Sequence, residues 1–117
     1  MKVAAELELY CFRESFDAAR ARRYHGLTPV AGYLEDYHIL QTTKDEVVMR
    51  ALRNGLQGAG IPVESSKGEW SRGQHEINFT YDAPLEMCDR HVLFKQGVKE
   101  MAAGDRIVEL KAPVLLP

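Results

Sequence analysis

Cysteine is scarce in this chain: two thiols, Cys11 and Cys88, in 117 residues. Two are too few for a disulfide framework. Both lie in apolar segments without metal-ligand spacing, so they read as buried thiols of a cytosolic protein. Long apolar runs are absent too, since none reaches the roughly 18 residues that span a bilayer. The N-terminal Met1-Lys2-Val3-Ala4-Ala5-Glu6 carries acid where a signal peptide has an uninterrupted apolar stretch. A cytoplasmic location without a membrane partner is expected. Neither charge sign dominates: 15 Lys and Arg against 17 Asp and Glu leave a net charge of −2. The basic residues are scattered among acids, which argues against nucleic acid as a partner. Internal repeats, low-complexity stretches and an interdomain linker are all missing. So are a Ser–His–Asp arrangement, a Gly-rich phosphate loop and a paired-Cys redox motif, which sets aside nucleophilic, P-loop and dithiol chemistry.

What is present suffices for one small core, with 45% of residues apolar. Lys2 to Phe12 alternates as a strand, with Val3, Leu7, Leu9 and Cys11 on one face and Glu6, Glu8 and Tyr10 on the other. Residues 13–42 are the least regular: a short basic helical turn over Ser15 to Arg23, a loop punctuated by Gly26, Pro29 and Gly32, and a weaker extended or helical stretch from Tyr33 to Leu40. A connection this long without strong periodicity is often functional. Thr43-Lys44-Asp45-Glu46 has the form of a capping box, and Val48, Leu52, Leu56 and Ala59 fall on one helical face up to a C-cap at Gly60. Ile61 to Glu64 reads as a strand and Ser65 to Gly68 as a turn. Gly73 to Tyr81 is a second clear alternation, with Ile77, Phe79 and Tyr81 opposite Gln74, Glu76, Asn78 and Thr80. Asp82 can cap a second helix with Pro84 in its first turn and the stripe Met87, His91, Phe94, Val98, Met101. Ile107 to Leu110 could form one more strand. The order predicts an α+β fold with a mainly antiparallel sheet and two main helices, close to a ferredoxin-like arrangement.

Four carboxylates carry the chemistry. Glu6 and Glu8 share a strand face about 6.6 Å apart, and Glu69 and Glu76 flank a turn containing Gly73. Each alone is accounted for by a wet surface. Together, three segments supplying Glu suggest a hard divalent cation, which removes the cost of desolvating like charges. Carboxylates suit Mg²⁺ or Mn²⁺, whereas no Cys/His cluster suits zinc. The four histidines, His25, His38, His75 and His91, read as structural, with His75 pointing away from the Glu76 face.

At these residues the chain resembles the glutamine synthetase family. Glu6-Leu7-Glu8 at the end of an apolar strand is similar to that family's first metal motif. Glu64-Ser65-Ser66-Lys67-Gly68-Glu69 followed by Gly73-Gln74-His75-Glu76-Ile77-Asn78 is similar to the next. Tyr24 to Leu40, with Gly26-Leu27-Thr28-Pro29 and Glu35-Asp36-Tyr37-His38, resembles a bacterial glutamine-synthetase-like branch, several of whose members join glutamate to amines. Met87-Cys88-Asp89-Arg90-His91, Lys95 and Lys99-Glu100 fit the following helix, so the resemblance covers residues 3–103. It implies that Glu8, Glu69 and Glu76 hold the metal nearer glutamate, with Glu6 contributing to a second metal beside the nucleotide. Glu64 and Tyr81 would line the nucleotide pocket, and Glu8 and Glu69 would lie close to the bound amino acid. No side chain is assigned as a catalytic residue.

The implied reaction uses ATP to convert the glutamate side-chain carboxylate into an acyl phosphate, which ammonia or an amine captures. The implied partners are glutamate, ATP and the amine, in a ring-shaped homo-oligomer. Residues 1–117 would be a partial catalytic domain. The family's small N-terminal domain, the later His and Glu metal ligands and the substrate-binding Arg residues are not in this stretch, and 105–117 departs from the family pattern. The alternatives are a non-catalytic remnant and a small metal- or partner-binding α+β domain.

Overall fold

The structure is a computed structural model that describes residues 1–104. Strand β1 (Glu6–Tyr10) leads into the short helix α1 (Phe16–Ala21) and a loop ending at α2 (Ile39–Lys44). Helix α3 (Glu46–Gly58), strands β2 (Val63–Gly68) and β3 (Gln74–Phe79) and the long helix α4 (Pro84–Gly104) follow. The sheet order is β1-β3-β2, and both neighbours run antiparallel to β3. β1 and β2 are therefore parallel to one another with β3 between them, the split β-α-β arrangement of ferredoxin-like folds. The expected strand Ile107 to Leu110 and the rest of the 105–117 tail lie outside the described residues.

Alternation puts Leu7, Leu9 and Cys11 of the first strand region and Ile77 and Phe79 of β3 into one core, where each is almost fully buried. Helices α3 and α4 close that core through Met49, Leu52 and Leu56 from one side and Met87, Phe94, Val98 and Ala102 from the other. Each large apolar side chain buried this way contributes about 1.5–3 kcal/mol. Phe94 meets Phe79 edge to face, with ring centroids 5.5 Å apart. The expected stripe on α4 holds at Met87, Phe94 and Val98, but the turn-by-turn drift brings Ala102 into the core while His91 stays half-buried. Cys88 is exposed, so only Cys11 is a buried thiol.

Three local expectations change. Thr43 does not cap α3. It lies inside α2 and its hydroxyl donates to the Ile39 carbonyl, while Asp45 precedes α3 without a side-chain cap bond. Glu46 pairs outward with Arg53 and Arg50 instead of reaching back. Ser65 to Gly68 is strand, not turn, because it pairs with Asn78 to His75 of the buried β3, after an irregularity between Val63 and Ser65. Helix α4 begins at Pro84, and the Asp82 carboxylate accepts the adjacent Ala83 N–H and pairs with Lys2 and Arg90. The end of α3 is as expected. Gly60 has φ +80°, its N–H reaches the Gln57 carbonyl, and the Ile61 N–H reaches that of Leu56.

Candidate metal centre

Pairing register assembles the site. Glu8 of β1 and Lys67 of β2 both stand opposite Glu76 of the central strand. One rung of the sheet therefore carries Glu8, Glu76 and Lys67 on the face away from the helices. Glu69 arrives from just beyond β2, where its N–H donates to the Gln74 carbonyl across the turn. Gly73 makes that turn possible. It has φ +70°, and a Cβ there would stand 2.6 Å from the Cys11 carbonyl oxygen. The result is a group of three carboxylates, Glu8, Glu69 and Glu76, whose ligand atoms lie within 4.8 Å of one another.

The electrostatics suit a cation. Glu76 is buried and Lys67 donates to it at 2.5 Å, with Asn78 as a second acceptor at 3.3 Å. Burial opposes ionisation of Glu76, but the hydrogen bonds from Lys67, Glu69 and Asn78 outweigh it and hold its carboxyl below the usual range. Glu69 is pushed up to about 7, first by burial and then by its hydrogen bond to Glu76 and the charges of Glu76 and Glu8. The charge of Glu76 thus raises the proton affinity of Glu69, and the Lys67 ammonium places a positive charge beside the pair. Three carboxylate oxygens facing an ammonium fit a hard divalent ion bound through oxygen.

The sequence-predicted residues separate into three places. Glu8, Glu69 and Glu76 converge. Glu6 is exposed one step along the same face, paired with Asn78, outside the three-carboxylate group. Glu64 and Tyr81, both exposed, lie toward the opposite end of β2 and β3, where the Thr80 N–H meets the Pro62 carbonyl. Glu64 lines an open cavity of about 480 Å³ with Arg53, Ser66, Lys67 and Thr42.

A second group was not expected: Glu35, Asp45 and His75 also bring ligand atoms within 4.8 Å of one another. The reading of His75 as facing away from Glu76 is right, and Glu35 of the irregular segment and Asp45 before α3 meet it there. The only signal was the length of the 13–42 connection.

Residues 1–108 match the glutamine synthetase catalytic domain as a family. Gamma-glutamylethanolamide synthetase of Streptomyces coelicolor is 47% identical over 104 residues, covering 89% of this chain and 22% of that protein. Glutamate–isopropylamine ligase of a Pseudomonas species is 32% identical over 100 residues, covering 86% of this chain and 22% of that protein. The chain thus spans about a fifth of these relatives. Among solved structures, Plasmodium falciparum glutamine synthetase superposes with a TM-score of 0.63 at 20% identity, over 92% of this chain and 25% of that one. No helix among the described residues is long and apolar enough to cross a membrane.

Proposed function

The chain belongs to the glutamine synthetase family, and from that premise we propose that it forms part of an ATP-dependent ligase joining ammonia or an amine to the side-chain carboxylate of glutamate. The observation that supports this reading is the convergence of Glu8 from β1, Glu69 from just beyond β2 and Glu76 from β3. These three would hold one Mg²⁺ or Mn²⁺, and Glu6 would face a second. Bound cations would neutralise charge on the transferring phosphoryl group and hold glutamate and nucleotide in line. Glu8 and Glu69 would also orient the amino-acid substrate, while Glu64 and Tyr81 would border the nucleotide. Lys67 would hold Glu76 ionised and in place until the cation arrives. Glutamate attacks the γ-phosphate of ATP, ADP leaves, and the amine displaces phosphate from the γ-glutamyl phosphate.

The residues 1–117 would be a partial catalytic domain within a cytoplasmic ring homo-oligomer, with the nucleotide and second-metal sites completed by further segments. Calorimetric titration with Mn²⁺ tests the half-site. One ion should bind, and changing Glu69 and Glu76 to Gln should abolish its binding. Unchanged Mn²⁺ affinity in that double variant would remove the reading. A second reading, a partner-binding α+β domain, draws on the exposed apolar residues Leu85, Val92 and Leu93 of α4. It predicts no Mn²⁺ binding at millimolar concentration.

A further inference from the structure

Beneath the sheet, on the face opposite Glu76, Glu35 and His75 are fully buried, with exposures of 0% and 1%. The His75 Nε2 lies 3.5 Å from Glu35 Oε2 and 3.4 Å from Asp45 Oδ2. These distances exceed the roughly 2.7–2.9 Å of a charge-assisted hydrogen bond. Glu35 Oε2, Asp45 Oδ2 and both ring nitrogens of His75 have no hydrogen-bond partner among the described residues. Buried polar atoms without partners are costly, and buried carboxylates more so. The surrounding field is negative: burial, then the charges of Asp45 and Glu35, push the Cys11 thiol strongly up.

We propose that Glu35, Asp45 and His75 form a second, structural metal site for a transition ion of the Zn²⁺ type. An ion holding nitrogen and carboxylate oxygen at about 2.0–2.2 Å in tetrahedral order sets neighbouring ligand atoms roughly 3.3–3.6 Å apart, which matches the two distances here. Imidazole with carboxylates suits such an ion better than Mg²⁺. Entry is available, because His75 borders two cavities, of about 480 and 420 Å³, and Asp45 lines the second. A fourth ligand, water, could reach the ion from the cavity that Asp45 and His75 share.

The ion would staple the loop containing Glu35, the start of α3 and the central strand. Glu35 has a further attachment, since its Oε1 accepts the Gly73 N–H at 3.0 Å. The staple thereby reaches the turn between Glu69 and Glu76. It does not depend on the proposed ligase chemistry, since none of its ligands belongs to the other group.

The test uses the full chain, stripped with chelator, in the Glu69→Gln, Glu76→Gln background so that the first site is silent. Zn²⁺ should bind with one equivalent by calorimetry and raise the melting temperature, and Co²⁺ should give the visible absorption of a four-coordinate ion. Glu35→Gln keeps the acceptor for Gly73 and should weaken Zn²⁺ by on the order of a hundredfold. Asp45→Asn, at a less buried position, serves the same purpose should Glu35→Gln lose its circular dichroism. No Zn²⁺ binding in the silent background, or binding undiminished in the folded variants, overturns the proposal. Mn²⁺ binding by the unaltered chain reports separately on the first site.

Discussion

Glu8 and Glu76 stand directly opposite one another across β1 and β3, and the third residue of their rung is Lys67. Two acids facing each other in one antiparallel pair repel, by up to roughly 1 kcal/mol on an ordinary sheet surface. Here Lys67 offsets that repulsion at the Glu76 end, 2.5 Å from its oxygen. The ammonium occupies the role that a bound cation would take over.

Lys67→Met should therefore act in opposite directions with and without metal. Without metal, a buried Glu76 loses its partner, and stability should fall by about 2–3 kcal/mol. With Mn²⁺ the loss should be recovered, and Mn²⁺ affinity should rise because its competitor is gone. Thermal melts in chelator and in millimolar Mn²⁺ read both effects. Equal melting temperatures for variant and parent in chelator would contradict this account.

Single Gln substitutions at Glu6, Glu69 and Glu76 distinguish the exposed acid from the clustered ones. Glu69→Gln and Glu76→Gln should each weaken Mn²⁺ by at least roughly tenfold, because each removes a charged oxygen ligand. Glu6→Gln should leave this affinity within a factor of about two, since its side chain is outside the group and screened by solvent. A Glu6 effect as large as that of Glu76 would mean a shared ion instead of neighbouring ones.

Gly73→Ala tests the turn. Positive φ and the 2.6 Å approach to the Cys11 carbonyl make any side chain there strained. A loss of about 1–3 kcal/mol is expected. Mn²⁺ affinity should fall as well, as Glu69 and Glu76 flank the displaced backbone. A melt unchanged from the parent would show that the turn relaxes freely.

Asp82 contributes to the acid limb. Lys2, the Ala83 N–H and Arg90 hold its carboxyl at about 2 in the folded chain, against an ordinary 3.8. The folded state therefore binds this proton less readily than the unfolded state. Its contribution is present above the unfolded value and is lost as pH falls through about 2. Asp82→Asn should melt below the parent at pH 6, and the gap should close between about pH 4 and 2. A gap that persists at pH 2 would assign the difference to packing instead of charge.

Much of this was legible in the sequence because it rests on periodicity. The alternation Leu7, Leu9, Cys11 against Glu6, Glu8 gave the face of β1, and Ile77, Phe79 against Glu76 gave that of β3. The spacing of Leu52 and Leu56 on α3 and of Met87, Phe94 and Val98 on α4 gave the helical faces. Glu6 and Glu8 on one strand face, Glu76 on that of the other strand and Glu69 before the turn together suggested a cation. The misread element was Ser65 to Gly68, whose composition favours a turn but whose neighbour is a buried strand with donors to satisfy, and tertiary pairing decides such cases. Thr43 was similar: its spacing to Glu46 allowed a cap, but α2 extends through it. Glu35, Asp45 and His75 could not be found by pattern. They come from three unrelated segments, and only packing brings them together.

Strand β3 serves both clusters with adjacent residues, His75 on one face and Glu76 on the other. This imposes a parity rule on the chain. Lengthening or shortening the turn over 69–73 is compatible with both clusters only if the phase of β3 against β1 is kept. A slip by a single residue would turn an imidazole toward Glu8 and Lys67 and drive a carboxylate into the negative pocket beneath. Neither site can be retuned by shifting this strand without dismantling the other, so variation around them has to come from side-chain replacement or from the turn itself.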